Sequence, residues 1–272
     1  LFPKAGSTSH FCMDAGTPIK AGNTVGALPC PADPSRIPVQ QKWAYTTDLT
    51  LQLTATIGDL DLNPDGTGLC LDTTSASHAV GTLLTVRPCI TVSDGHSGER
   101  AVWRQVWSIN SSGHFEGSRS DYSDLDGYCL YAVDQPAVQL TLNTNCSTST
   151  TDPQGAWNPM PSVGAGQAGE ANGQLVNFAQ FGRCLDVTNQ NTGTGDNGGT
   201  FLILYPCKQN PNTSRLDWNQ KWAEVPVGAG TVQWRTYVGN STSNAYCLTS
   251  PLSTVGYAHV AKCGQSSGQV WT

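Results

Sequence analysis

Apolar positions along this chain alternate with polar ones in short runs and nowhere hold helical spacing for more than a turn or two. Leu49, Leu51, Leu53 and Ala55 stand in strict alternation, the period-two signature of a half-buried strand. Leu175, Val176 and Phe178 start a second such run; Gly81 to Cys89 and Phe201 to Tyr205 also read as strands, as do Thr231 to Tyr237 and Tyr257 to Ala261. Asn63-Pro64-Asp65-Gly66 supplies a tight turn, after which Leu69-Cys70-Leu71 resumes a strand. Val92 to Glu99 reads as a polar loop. Residues 1 to 10, polar apart from Phe2, predict a frayed or missing first strand. The expected class is all-β with little helix.

These runs recur in a fixed order, written most completely from Gln174 to Trp222. An apolar run leads to Cys184 with Asp186 two residues on; a polar Gly/Asn/Thr loop follows, then a second apolar run, Cys207, another loop and Asn219-Gln220-Lys221-Trp222. A period of tens of residues fixes architecture before any local reading does. Five copies are present. They close on Gln41-Lys42-Trp43, Gln105-Val106-Trp107, a stretched Gln154-Gly155-Ala156-Trp157, Gln220-Lys221-Trp222 and Gln269-Val270-Trp271, and every cysteine falls into the scheme. The copies span 1–43, 44–107, 108–157, 174–222 and 223–272. Between the third and fourth lies 158–173, rich in Pro, Gly and Ala without apolar periodicity, which reads as a linker. The five closing tryptophans are expected in the core.

Cys-x-Asp opening a repeat and Gln-x-Trp closing it resembles the ricin B-chain type of β-trefoil lectin, and the resemblance covers nearly the whole chain. It implies tandem β-trefoils: three lobes in 1–157 and two visible lobes in 174–272. One lobe cannot bury its apolar face alone, so the second trefoil is incomplete here, with an apolar face and strand edges in need of cover. A missing C-terminal lobe or further copies of the chain would supply it; the stop one residue after Trp271 favours the former. Ten cysteines allow roughly 900 pairings. The repeat selects one set, within each copy: Cys12–Cys30, Cys70–Cys89, Cys129–Cys146, Cys184–Cys207 and Cys247–Cys263. Each closed loop would contribute ~3 kcal/mol.

Composition narrows the setting. Charged residues make up only 12% and the net charge is -6 without a basic cluster, which argues against nucleic acid and anionic membranes. No apolar run approaches the ~18 residues of a membrane span. The even ten cysteines point to an oxidising compartment, secreted or cell-surface, and the start at Leu1 fits a processed form. Without Cys-x-x-Cys, and with five scattered histidines, no metal or other cofactor is expected. Ser93-Asp94-Gly95-His96-Ser97 holds the residue types of a hydrolytic triad, but neighbours in one loop do not converge, so it reads as a turn. Asp59/Asp61 and Asp124/Asp126 look solvated rather than set across a cleft as glycosidase chemistry requires. The chain is not expected to be an enzyme. Asn110, Asn145, Asn212 and Asn240 head Asn-x-Ser/Thr triplets.

The resemblance also implies where a glycan would sit. In such lobes the Asp after the first cysteine and a later Asn hold vicinal hydroxyls, an aromatic ring stacks on the sugar, and the closing Gln supports the Asp. Copy four has all four parts: Asp186, Tyr205, Asn219 and Gln220. It departs at Ile203, where galactose-binding lobes often carry Gln, and Trp218 offers either a second ring or packing. Weaker candidates are Asp14 and Gln40 in copy one, which has Leu28 at the ring position, and Asp72 in copy two, which has Arg87 there. Copy three has Tyr131 in place of the Asp, and copy five has Thr249 for the Asp and Ala261 for the ring. The leading expectation is an extracellular glycan-binding protein. The alternatives are a disulfide-stapled structural subunit of a surface assembly or filament, and an accessory binding module of a secreted hydrolase.

Overall fold

The computed structural model describes residues 2–3, 10–31, 33–74, 77–93, 98–110, 113–132, 139–146, 157, 173–177, 183–192, 201–251, 256–264 and 266–272. The strands in chain order are β1 (Phe2–Pro3), β2 (His10–Asp14), β3 (Gly26–Pro29), β4 (Trp43–Tyr45), β5 (Leu51–Leu53), β6 (Leu69–Thr73) and β7 (Leu84–Pro88). Next come β8 (Thr91–Ser93), β9 (Glu99–Ala101), β10 (Trp107–Ile109), β11 (Phe115–Ser118), β12 (Leu125–Ala132) and β13 (Leu140–Asn143). The last six are β14 (Arg183–Val187), β15 (Leu202–Pro206), β16 (Ala223–Gly228), β17 (Thr231–Tyr237), β18 (Ala245–Thr249) and β19 (His259–Lys262). Among the described residues there is no α-helix, only short 3-10 turns, and no helix is long and apolar enough to cross a membrane. The protein is all-β. Its strands form small antiparallel sheets, three of them four-stranded meanders: β4 to β7, β10 to β13 and β16 to β19.

Each meander starts at or just after a closing tryptophan and ends with the two strands that flank a cysteine pair. All five disulfides form within their copies: Cys12–Cys30, Cys70–Cys89, Cys129–Cys146, Cys184–Cys207 and Cys247–Cys263. The first strand of copy one is reduced to the two residues of β1, as its polar sequence predicts.

Three strand expectations need correction. The alternating run at Leu49 is strand only over Leu51–Leu53. Leu49 itself sits in a turn at φ 61°, and Ala55 lies in a 3-10 turn that the Thr56 hydroxyl ties to Leu53 O at 2.7 Å. The run at Gly81 shortens to Leu84–Pro88, because Gly81 turns at φ 83°. Val92 to Glu99 is no simple loop, since β8 and β9 pair across it; residues 94–97, and so most of the Ser93–Ser97 stretch, lie outside the described residues. The 158–173 linker is likewise undescribed apart from Gly173, as are Gln154 to Ala156.

In the first block three hairpins lock together through backbone bonds. Val25 N donates to Leu84 O at 2.9 Å, Leu142 N to Thr82 O at 2.9 Å, and Leu140 N to Val25 O at 2.6 Å, so copies one, two and three close a ring. Val25, Leu84 and Leu140, at matching positions in the three hairpins, are fully buried. Among the described residues the second block has one such junction: Leu202 N donates to Ala258 O at 3.2 Å, beside a bridge between Phe201 and His259. Its core differs accordingly. A large cluster with Trp107, Leu53, Leu69, Leu71 and Leu130 at its centre fills the first block, whereas the hydrophobic cluster of the second has, among the described residues, only Val187, Trp218, Trp222 and Val260 as buried members. Phe201 is 43% exposed, Leu204 47% and Tyr257 80%.

The blocks meet along a polar seam carried by the loop after Cys207. Gln209 is buried: its backbone N donates to Ile109 O at 2.9 Å and its carboxamide meets the Tyr45 phenol, which donates to Trp107 O at 2.6 Å. Asn210 Nδ2 reaches Asp124 Oδ1 at 2.8 Å, Asn212 Nδ2 reaches Ser123 O at 3.2 Å, and Arg215 lies 2.7 Å from Asp124 Oδ2. Asp124 is therefore a seam residue rather than a solvated one. Asp126 is not solvated either, because His78 Nδ1 binds its carboxylate and the far nitrogen of that ring meets Thr73 Oγ1 at 3.0 Å. The Asn212 triplet has its amide committed to the seam, while Asn240 is exposed.

Candidate functional site

The closing motif fastens each copy to its own first cysteine strand. Gln105 Nε2 donates to Asp72 Oδ2 at 2.6 Å and to Pro88 O at 2.9 Å, and its Oε1 accepts from Ile90 N at 2.9 Å. Gln220 does the same with Asp186 Oδ2 at 2.7 Å and Lys208 N at 2.7 Å. Gln269 bonds Thr249 Oγ1 at 3.3 Å, Lys262 O at 3.0 Å and Gly264 N at 2.8 Å. Gln41 holds Asp14 Oδ2 at 2.8 Å, yet its Oε1 is buried without a partner. The residue after Cys30 is Pro31, which has no N–H to give. Two residues on, each tryptophan donates its indole N–H to the carbonyl just before the Asp position. The partners are Met13 O at 2.9 Å, Leu71 O at 3.1 Å, Leu130 O at 3.5 Å, Leu185 O at 3.1 Å and Leu248 O at 3.2 Å. Gln and Trp are thus structural in every copy where they are described.

Copy four adds something. Pairing of β14 with β15 sets Cys184 opposite Tyr205 and Asp186 opposite Ile203, so Asp186 and Tyr205 share a face as diagonal neighbours. The turn Trp218–Gln220 brings Asn219 up beside Gln220, and Asn219 Nδ2 donates to Asp186 Oδ1 at 2.9 Å. The carboxylate is thereby fixed in direction, one oxygen per carboxamide. Lys208 lies across it: Nζ is 3.8 Å from Asp186 Oδ2, 3.3 Å from Asn219 Oδ1, 3.2 Å from Asp217 Oδ2 and 6.0 Å from the Tyr205 ring centre. Asp186 is 3% exposed, whereas Tyr205 is 39% exposed, so a recessed acceptor lies beneath an open ring. Burial pushes the Asp186 carboxyl above the ordinary aspartate value, against the pull of Gln220 and Lys208. Trp218 is buried in the second core and is packing, not a second ring.

The other copies lack one part or another. In copy two Arg104 stands where copy four has Asn219, and its Nε lies 3.1 and 3.2 Å from the two oxygens of buried Asp72. That guanidinium occupies the space a ligand hydroxyl would need. In copy one Asp14 accepts from Gly16 N at 2.7 Å as well as from Gln41, Gln40 is half-buried and Leu28 offers no ring. Thr249 in copy five returns its hydroxyl to Cys247 O at 2.9 Å. The sequence pattern missed Lys208, since the residue after the second cysteine is Pro31, Ile90, Ser147 or Gly264 elsewhere and no rule singles it out. Arg104 was legible as the departure from Asn at the position before the closing Gln.

No protein-family model and no curated protein matches the chain. Among solved structures it is similar to one titled "CARDS toxin, nicked", at 11% identity and a TM-score of 0.25, over 96% of this chain and 49% of that one. The chain spans about half the length of that structure.

Proposed function

We propose that the chain is an extracellular carbohydrate-binding protein built of ricin B-like β-trefoils, complete over 1–157 and incomplete over 174–272, with its principal sugar pocket in copy four. One observation carries this reading: the Asp186 carboxylate, aimed by Asn219 and Gln220, shares a hairpin face with the open ring of Tyr205. A carboxylate oxygen accepts more than one hydrogen bond, so both oxygens keep capacity for a pair of ligand hydroxyls. The 3.8 Å contact of Lys208 is the weakest in the cluster, and its 3.2 Å partner Asp217 holds the ammonium when a sugar enters. Five disulfides suit an oxidising, extracellular setting.

Tyr205→Ala should weaken the best glycan ligand by ~1–3 kcal/mol, the scale for burying a large apolar side chain, with the fold unchanged. Titration calorimetry reads this. Equal affinity for the variant moves the pocket elsewhere.

Acid should also weaken binding. Because burial raises the folded pKa of Asp186 above 3.8, the carboxyl takes up its proton earlier on acidification than an ordinary aspartate. Affinity is therefore full above that raised value and falls through a midpoint above 3.8 as pH drops. Asp124 at the seam is held below 3.8, chiefly by its bond from Asn210, so its contribution to stability persists through the same window and is lost only at lower pH. A midpoint at or below 3.8 would remove Asp186 from the pocket.

A second reading, a structural subunit, is favoured by the exposed Phe201, Leu204 and Tyr257 beside the single hairpin junction of the second block. Such a surface invites association. Light scattering that finds a monomer at every concentration sinks this reading, and polymers that grow with concentration support it.

A further inference from the structure

The seam between the blocks carries an open pocket of about 140 Å³, lined by none of the residues of the Asp186 cluster. Its walls come from both blocks: Asp48, Leu49, Arg100 and Tyr122 from the first, Asn210 and Pro211 from the second. Two features single it out.

The first is backbone strain. Only five non-glycine residues in the described chain have positive φ, and Leu49 at 61° and Tyr122 at 57° both line this space. For bulky side chains the left-handed region is unfavourable and persists only where the surroundings enforce it. Leu49 has an internal control. Its carbonyl accepts from Trp107 N, as Gly113 O does from Trp157 N and Gly173 O from Trp222 N, so the three positions correspond. Copies three and four use glycine there, at φ 79° and 72°, whereas copy two keeps a leucine whose side chain is buried against the pocket.

The second is a buried donor without a partner. Arg100 stacks on the Tyr122 ring at 3.4 Å, and its Nε is buried without a hydrogen-bond partner. Asp48 lies at the rim, and among the described residues neither forms an ion pair. A guanidinium and a carboxylate around a space of mixed polar and apolar walls suit a guest that donates to one and accepts from the other. A free anion or cation satisfies one and is repelled by the other, and a zwitterion adds two more charges to desolvate. A hydroxylated ring satisfies both without bringing charge. The pocket is open to solvent, so a pyranose need not be contained whole, and a closed cavity of ~150 Å³ already admits a benzene ring.

We propose that this seam pocket is a second ligand site, taking a single neutral pyranose through its hydroxyls, with Asp48 as acceptor, Arg100 as donor and Leu49 and Pro211 against its C–H face. Because Asn210 and Pro211 belong to the other block, an occupied site also holds the two blocks together.

The test is titration of the full chain with a panel of methyl pyranosides, followed by saturation-transfer NMR, on the native protein and on Asp48→Ala, Arg100→Ala and Asp186→Ala. The expected result is a glycoside that still binds Asp186→Ala and binds Asp48→Ala and Arg100→Ala at least ten-fold more weakly, with melting temperatures near native. Asp48 is an exposed turn residue, so its variant should fold even if Arg100→Ala does not. The proposal is overturned if no glycoside binds, if all binding is lost with Asp186→Ala, if Asp48→Ala titrates as the native chain does, or if free amino acids fill the site in place of glycosides. If some glycosides are lost with Asp186→Ala while another still binds that variant and not Asp48→Ala, the seam site stands, so the two sites fail separately.

Discussion

Trp107→Ala should destabilise the first block by about 3–5 kcal/mol, the range for deleting a large aromatic side chain from a packed core. Trp107 is fully buried at the centre of the large cluster, and its indole N–H holds Leu71 O at 3.1 Å. The corresponding Trp271 makes the same bond to Leu248 O at 3.2 Å but is only half-buried, so Trp271→Ala should cost less than half as much. Urea unfolding followed by far-UV circular dichroism separates the two. Equal losses would mean that the closed ring of hairpins does not concentrate stability in the first block.

Gln105→Ala should cost ~3 kcal/mol or more, although it removes only a carboxamide. The Asp72 oxygen, the Ile90 N–H and the Pro88 carbonyl each lose a partner, and an unsatisfied buried group costs about 1–3 kcal/mol. The loss should depend on pH. Burial already pushes the Asp72 carboxyl up, and the Gln105 bond is the largest influence pulling it down. Without that bond the folded pKa rises further, so the penalty is full at neutral pH and shrinks as pH falls through the raised value, where Asp72 becomes neutral. Gln269→Ala, whose partner Thr249 is an uncharged hydroxyl, should show no such pH dependence. A Gln105→Ala penalty that stayed flat with pH would separate the closing glutamine from the Asp it is said to hold.

Period and chemistry were legible in the chain to different degrees. Disulfide pairing and the all-β class followed from the repeat because a cysteine pair flanking two apolar runs is local, and each hairpin closes on itself. Strand ends were not. Leu49 looks like a strand residue by alternation, but its place in a turn is dictated by bonds to Thr46 and to Trp107, a contact between distant parts of the chain. The seam was invisible for the same reason: Gln209 and Asn210 sit in an ordinary polar loop, and only their meeting with Tyr45 and Asp124 gives them a role.

Candidate pocket residues divide in a similar way. Asp186, Asn219 and Gln220 were named by the resemblance to ricin B-type lobes and are brought into one hydrogen-bonded cluster. Asp72 fits the same spacing equally well, yet its acceptor is filled by Arg104. Motif spacing reports that an acidic group is held. It does not report what else reaches that group, which depends on the length and charge of the neighbouring side chain.

The most direct test of glycan binding at Asp186 is a broad glycan-array screen of the native chain alongside Asp186→Ala. Asp186 is held by two side-chain amides on a folded hairpin, and its loss removes the central acceptor while leaving the Cys184–Cys207 disulfide and the Trp222 bond to Leu185 in place. The native chain is expected to bind a defined set of glycans, and the variant, folded by circular dichroism, to lose those that depend on the open Tyr205 ring. Silence of the native chain across the array, or undiminished binding by the variant, would contradict glycan binding at Asp186.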